Sequence, residues 1–101
     1  SITYFDAGSA KLTPRAKKTL DKVIAKVPSS ATGVRVRVTG FVQPTSFIGN
    51  DQSLSKARAA AVARYLKSRG LHGSYTVSGK GRAHEVGATA RRVVTAVAYW
   101  R

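Results

Sequence analysis

The segment VRVRVTG, residues 34–40, alternates strictly, with Val34, Val36 and Val38 on one side and Arg35 and Arg37 on the other. A period of two predicts a half-buried strand with a charged outer face. SITYF, residues 1–5, is β-branched and aromatic and reads as a first strand. A polar loop over 6–11 follows, and Thr13-Pro14 then marks a helix start, because threonine caps and proline suits the first helical position. Ala16, Leu20, Val23, Ile24 and Val27 recur at three- and four-residue spacing, giving that helix one apolar face before Pro28-Ser29-Ser30 ends it. A second helix is expected to begin within residues 50–53 and to run to Arg69. Its apolar stripe is Leu54, Ala61, Val62, Tyr65 and Leu66, with Ala57 beside it, and Gly70 is its stop signal. SYTVSG (74–79) and RRVVTAVAYW (91–100) read as third and fourth strands.

The order strand, helix, strand, helix, strand, strand predicts an α/β (α+β) two-layer sandwich. A mixed four-stranded sheet carries two helices on one face, with right-handed crossovers and the last two strands antiparallel. A length of 101 residues suits one domain, 1–101. The chain opens on Ser1 and enters a strand-like stretch at once, so it is expected to be a fragment with any export signal upstream.

Composition narrows the function. A hydrophobic fraction of 43% argues against disorder. No apolar run is long enough for a membrane span. Without cysteine there is no disulfide framework and no thiolate metal site. Eighteen Lys and Arg face four Asp and Glu, a net charge of +14. That field attracts polyanions, against the plainer reading of a solvated, soluble surface.

Catalysis is disfavoured. The carboxylates are Asp6, Asp21, Asp51 and Glu85, and Asp21 falls in the exposed register of the first helix. His72 and His84 have no spaced metal-ligand partner, and no nucleophile-elbow pattern accompanies the serines. Gly79-Lys80-Gly81 reads as a turn that resembles the start of a dinucleotide fingerprint, but His84 stands at the third glycine. No enzyme activity, cofactor or metal is expected. Nucleic acid is also disfavoured. Arg35, Arg37, Lys80, Arg82, Arg91 and Arg92 suit phosphates, and Tyr75, Tyr99 and Trp100 are available for stacking, but no aromatic lies between Arg35 and Arg37.

The second helix is the most informative segment. Leu54-Ser55-Lys56-Ala57-Arg58-Ala59 follows a strand, Gly40 and a polar loop, and precedes Val62, Tyr65-Leu66 and Gly70. Phe5-Asp6 and Leu12-Thr13-Pro14 lie upstream, with Gly79-Lys80-Gly81 and Arg91-Arg92-Val93 downstream. This ordered set resembles the OmpA-like domain, the peptidoglycan-associating module of bacterial envelope proteins, over nearly the whole chain. The resemblance implies the same two-layer sandwich and a place in the cell envelope, periplasm or outer wall. It also implies binding of a diaminopimelate-type stem peptide, in which a loop aspartate and the arginine of L-S-x-x-R-A hold the ends of a zwitterion. An ammonium needs a negative acceptor, and a carboxylate matches the guanidinium fork.

Arg58 occupies the arginine position, where a cation near the start of a helix is awkward unless an anion joins it. The other position departs from the pattern. Gln43 stands for the aspartate, Phe41 for the histidine, Ser46 for the loop glycine and Asp51 for the asparagine. A neutral acceptor in place of a charged one loses roughly 1 kcal/mol. Either the pocket has changed or lost its ligand, or Asp51 supplies the missing charge; the plainer reading of Asp51 is a helix N-terminal residue favoured by capping. Expected site residues are Arg58, Gln43, Asp51, Thr45, Asp6, Arg92 and Arg91, of which the last two point to opposite faces of a strand. The expected partner is the peptidoglycan stem peptide or an anionic cell-wall polymer. The alternative is a basic module that kept the fold, lost that ligand, and binds another polyanion or a protein.

Overall fold

The computed structural model describes residues 1–6, 9–42, 48–82 and 91–100, except for the side chains of 48–51, 81 and 82. The elements are β1 (Ile2–Tyr4), α1 (Pro14–Lys26), β2 (Thr32–Val42), α2 (Ile48–Ser68), β3 (Ser74–Arg82) and β4 (Arg92–Trp100). They build a four-stranded sheet in the order β1-β4-β2-β3. β3 runs parallel to β2, whereas β4 is antiparallel to both β1 and β2. Both strand–helix–strand connections therefore join parallel strands. β3 and β4 run in opposite directions as expected, but β2 separates them and they form no hairpin. The expected Gly79-Lys80-Gly81 turn is instead strand, because β3 continues to Arg82.

The first helix follows its sequence signals. Thr13 is the N-cap, its Oγ1 accepting from the Ala16 N–H at 3.1 Å, and Pro14 opens the first turn. Ala16 and Leu20 are buried, while Ile24 and Val27 pack at the edge of the core. The core lies between sheet and helices. Val36 and Val38 of β2 and Val93 of β4 meet Ala59, Val62, Ala63 and Leu66 of α2, with Phe5 and Leu20 closing the β1 side. Arg35 and Arg37 are exposed on the opposite sheet face, as their alternation with Val36 and Val38 requires.

Two features of α2 differ from expectation. It begins at Ile48, ahead of residues 50–53, so Asp51 lies inside the helix and not at its cap. Its buried face comprises Ser55, Arg58, Ala59, Val62, Ala63 and Leu66, whereas Ala57 is exposed and Leu54, Ala61 and Tyr65 are only half-buried. The inward face starts with two polar residues, which an apolar-periodicity reading passes over. Gly70 does end the segment. Its φ is 98°, its N–H donates to the Lys67 carbonyl at 3.1 Å, and the Leu71 N–H donates to the Leu66 carbonyl at 3.0 Å. That pair of bonds is the Schellman closure, and buried Leu71 follows it into the core.

Glycines let α2 sit directly on the sheet. Gly40 of β2 and Gly79 of β3 are register partners. A Cβ at Gly40 would collide with the Ser55 carbonyl oxygen, and one at Gly79 would stand 2.5 Å from both the Ser55 hydroxyl and the Lys56 nitrogen. The helix backbone thus rests on a side-chain-free stretch of two strands. Gln52 fastens the same end, its Nε2 donating to the Gly79 carbonyl at 2.7 Å.

Candidate functional site

The carboxyl ends of the parallel strands β2 and β3, the first turns of α2, the β1–α1 connection and the start of β4 converge at one end of the sheet. Arg58 sits at their centre. It is 1% exposed, the largest fully buried side chain among the described residues. Its Nε donates to the Ser9 carbonyl at 2.8 Å, Nη1 to the Phe41 carbonyl at 3.1 Å and Nη2 to the Asp6 carbonyl at 2.9 Å. The guanidinium carbon lies 5.4 Å from the centroid of the Phe5 ring. A guanidinium has five N–H donors, so Nη1 and Nη2 each keep a hydrogen that these three bonds do not use.

Arg58 therefore ties the β1–α1 connection to the end of β2 through main-chain acceptors. Among the described residues no carboxylate pairs with it; the ion pair they contain, Arg69 to Asp21 at 3.7 Å, lies on the helices. Burial lowers the Arg58 pKa, and the charge of Arg91 lowers it further. Both causes have the same meaning: a cation is held in a partly dehydrated place beside a second cation, and an anion there would relieve both.

The dipole of α2 does not account for the position of Arg58, contrary to expectation. Arg58 lies ten residues past Ile48, about 15 Å along the axis, too far for the first-turn dipole to act strongly. Three backbone carbonyls hold it there, not an electrostatic need at the helix terminus.

Arg91 and Arg92 diverge, as neighbours in a strand must. Arg91 lies on the Arg58 side, where its Nε donates to the Phe5 carbonyl at 3.1 Å. It also lines a cavity of about 240 Å³ between β1 and α1, together with Phe5, Asp6, Thr13 and Arg15. Arg92 lies on the open sheet face, with its guanidinium 4.4 Å from the centroid of Phe41. Phe41 thus presents its carbonyl to Arg58 and its ring to Arg92. Asp6 contributes its carbonyl, and the residue itself is exposed. Gln43 and Thr45 lie outside the described residues, as does the side chain of Asp51, although its backbone belongs to α2.

Sequence reasoning passed over Ser9 and the carbonyls of Asp6 and Phe41, since a main-chain acceptor leaves no mark in residue identity. It also passed over Ser55, which is fully buried and donates through Oγ to the Gln52 carbonyl at 2.8 Å. Ser55 lies one turn before Arg58 on the inward face, and the L-S-x-x-R spacing was its signal. Among the described residues no cluster of His, Asp or Glu is placed to hold a metal.

Comparison with solved structures gives the same fold. The peptidoglycan-associated lipoprotein of Burkholderia pseudomallei superposes with a TM-score of 0.82 at 19% identity, over 96% of this chain and 89% of that one. The C-terminal domain of Helicobacter pylori MotB gives 0.75 at 19% identity, over 95% and 81%. The OmpA-like domain of FopA1 from Francisella tularensis gives 0.71 at 26% identity, over 99% and 74%. A comparison with curated protein sequences gave no match. The family model described as OmpA family matches residues 4–97, which take in α1, β2, α2 and β3 whole, most of β4, and Arg58 with the residues whose carbonyls hold it. The chain belongs to the OmpA family.

Proposed function

We propose that this domain associates non-catalytically with peptidoglycan in the cell envelope, and that Arg58, with Arg91 beside it, receives a carboxylate of a diaminopimelate-type stem peptide. The observation that carries this reading is the buried Arg58 guanidinium, held by three carbonyls with no described carboxylate to neutralise it. Its position in L-S-x-x-R-A supports the assignment, as does the fold shared with a lipoprotein named for peptidoglycan association. In this reading Gln43 and Thr45 offer neutral hydrogen bonds to the other end of the ligand, and Asp51 supplies the negative charge that Gln43 lacks. No helix among the described residues is long and apolar enough to cross a membrane.

Co-sedimentation with peptidoglycan stripped of anionic polymers, at low and high salt, tests the proposal. Wild type should sediment at both, Arg91→Gln should weaken binding, and Arg58→Lys should weaken it more because an ammonium lacks the two-pronged fork. Gln43→Asp should tighten binding by about tenfold, the value of replacing a neutral bond with a charge-assisted one. Binding that disappears in high salt and ignores all three substitutions would overturn the pocket and leave only charge.

A further inference from the structure

Among the described residues no strand carries a carboxylate, since Asp6, Asp21 and Asp51 all lie outside β1–β4. On the open face of the sheet Arg35 and Arg37 project from β2. Their register partners are Ala98 and Ala96 of β4 on one side and Ser74 and Thr76 of β3 on the other. Short side chains flank long ones and leave an open trough of about 440 Å³, lined by Arg35, Arg37, Ser74, Thr76, Ala96 and Ala98. All six residues are exposed. The trough consists of two rungs of the same design, a guanidinium between a hydroxyl and a methyl group, roughly 7 Å apart along the strand.

We propose that this trough binds a linear polyanion of the polyol-phosphate type, with successive phosphates on Arg35 and Arg37. A guanidinium fork matches phosphate oxygens, and the Ser74 and Thr76 hydroxyls add donors beside each fork. The alanines leave room for a slender chain. A nucleic acid would bring bases, which need open aromatic platforms among the cations, and no aromatic lines this trough. The nearby Phe41 ring is covered by Arg92, and Trp100, exposed on the same face beside Gly33, stands one step beyond the Ala98–Arg35 pair and not between the arginines. A second copy of this chain would set the same arginines against each other. The trough is on the face opposite α2 and does not depend on the reading of Arg58.

Titration calorimetry with soluble poly(glycerol phosphate) chains tests the proposal across a salt series. Arg35→Gln/Arg37→Gln should bind at least tenfold more weakly near ~0.15 M salt, and its log–log salt dependence should flatten by about one per arginine. A control that removes the same charge from exposed positions of α1, Lys18→Gln/Lys22→Gln, should retain most of the binding. Ala96→Glu should weaken binding at least tenfold without removing a cation. Arg58→Lys should leave this binding unchanged, and the double arginine variant should still sediment with stripped peptidoglycan, so the two sites can fail separately. Equal loss in the α1 control, or no binding by wild type, would overturn the proposal. So would tighter binding of a single-stranded oligonucleotide carrying the same number of phosphates.

Discussion

Gly40 and Gly79 stand side by side in β2 and β3, and Ser55 of α2 lies directly over both. Their missing side chains set how closely the helix approaches the sheet. Arg58 follows one turn later on the same helix face, so its reach to the carbonyl of Phe41, the residue after Gly40, depends on that approach. Gly40→Ala should cost about 3 kcal/mol, the upper range for forcing atoms into a packed interior. Gly70→Ala meets no atom within 4 Å and should cost only the backbone strain of its positive φ, about 1–2 kcal/mol. Urea unfolding of the two variants separates them.

Arg58 holds structure as well as charge. Arg58→Ala would leave the carbonyls of Asp6, Ser9 and Phe41 without their donor in a part-buried place and would empty the volume of a fully buried side chain. At about 1 kcal/mol or more for each abandoned group, the variant should lose roughly 3 kcal/mol of stability. The expected result is a clear fall in the urea midpoint, with a smaller fall for Arg58→Lys. An unchanged midpoint for Arg58→Ala would mean that the carbonyl cage contributes nothing to folding.

Thr3 and Thr95 are 1% and 3% exposed, and their hydroxyls have no hydrogen-bond partner among the described residues. They lie on the helix side of β1 and β4, where an unpaired hydroxyl is a net cost. Thr95→Val keeps the β-branched shape and removes the polar atom. It should leave stability unchanged or raise it by about 1 kcal/mol, and the double Thr3→Val/Thr95→Val variant should gain at least as much. Thermal melts of both check this, and a fall in Tm would indicate a buried water serving the two hydroxyls.

The contact between α1 and α2 is sensitive to alkali. The Tyr65 hydroxyl donates to the Asp21 carboxylate at 2.7 Å, and that bond, followed by burial and the Asp21 charge, raises the Tyr65 pKa. Burial raises the Tyr75 pKa as well. A pKa raised by folding means that the contribution is complete below the ordinary tyrosine value near 10 and is lost as pH climbs through the folded value. Stability should therefore be level from neutral pH to about pH 10 and fall above it. Tyr65→Phe should be less stable at pH 8 and show a smaller alkaline decline. Melts from pH 8 upward, with phenolate absorbance recorded in parallel, test the sign.

Much of the fold was legible in the chain because its signals are local. Thr13-Pro14 specifies a cap and first turn, VRVRV specifies a strand with one charged side, and Gly70 supplies the positive φ that ends α2. The inward face of α2 was misread because Ser55 and Arg58 occupy buried positions usually held by apolar residues. The candidate site was legible only in part. Arg58 stood out through its motif, but the carbonyls that hold it belong to residues 49 and 52 positions earlier in the case of Ser9 and Asp6.

By itself the sequence determined the order and kind of the helices and strands, the excess of positive charge, and the family to which the pattern belongs. These follow from side-chain periodicity, turn chemistry and composition, each confined to a few neighbouring residues. Tertiary structure alone decided the insertion of β4 between β1 and β2, the seating of α2 on Gly40 and Gly79, and the burial of a guanidinium among main-chain oxygens. It also put Arg91 beside Arg58 and Arg92 over Phe41, and assembled the Arg35–Arg37 trough from three strands. Each of these depends on which distant strands become neighbours, and strand pairing is set by the packing of the whole sheet.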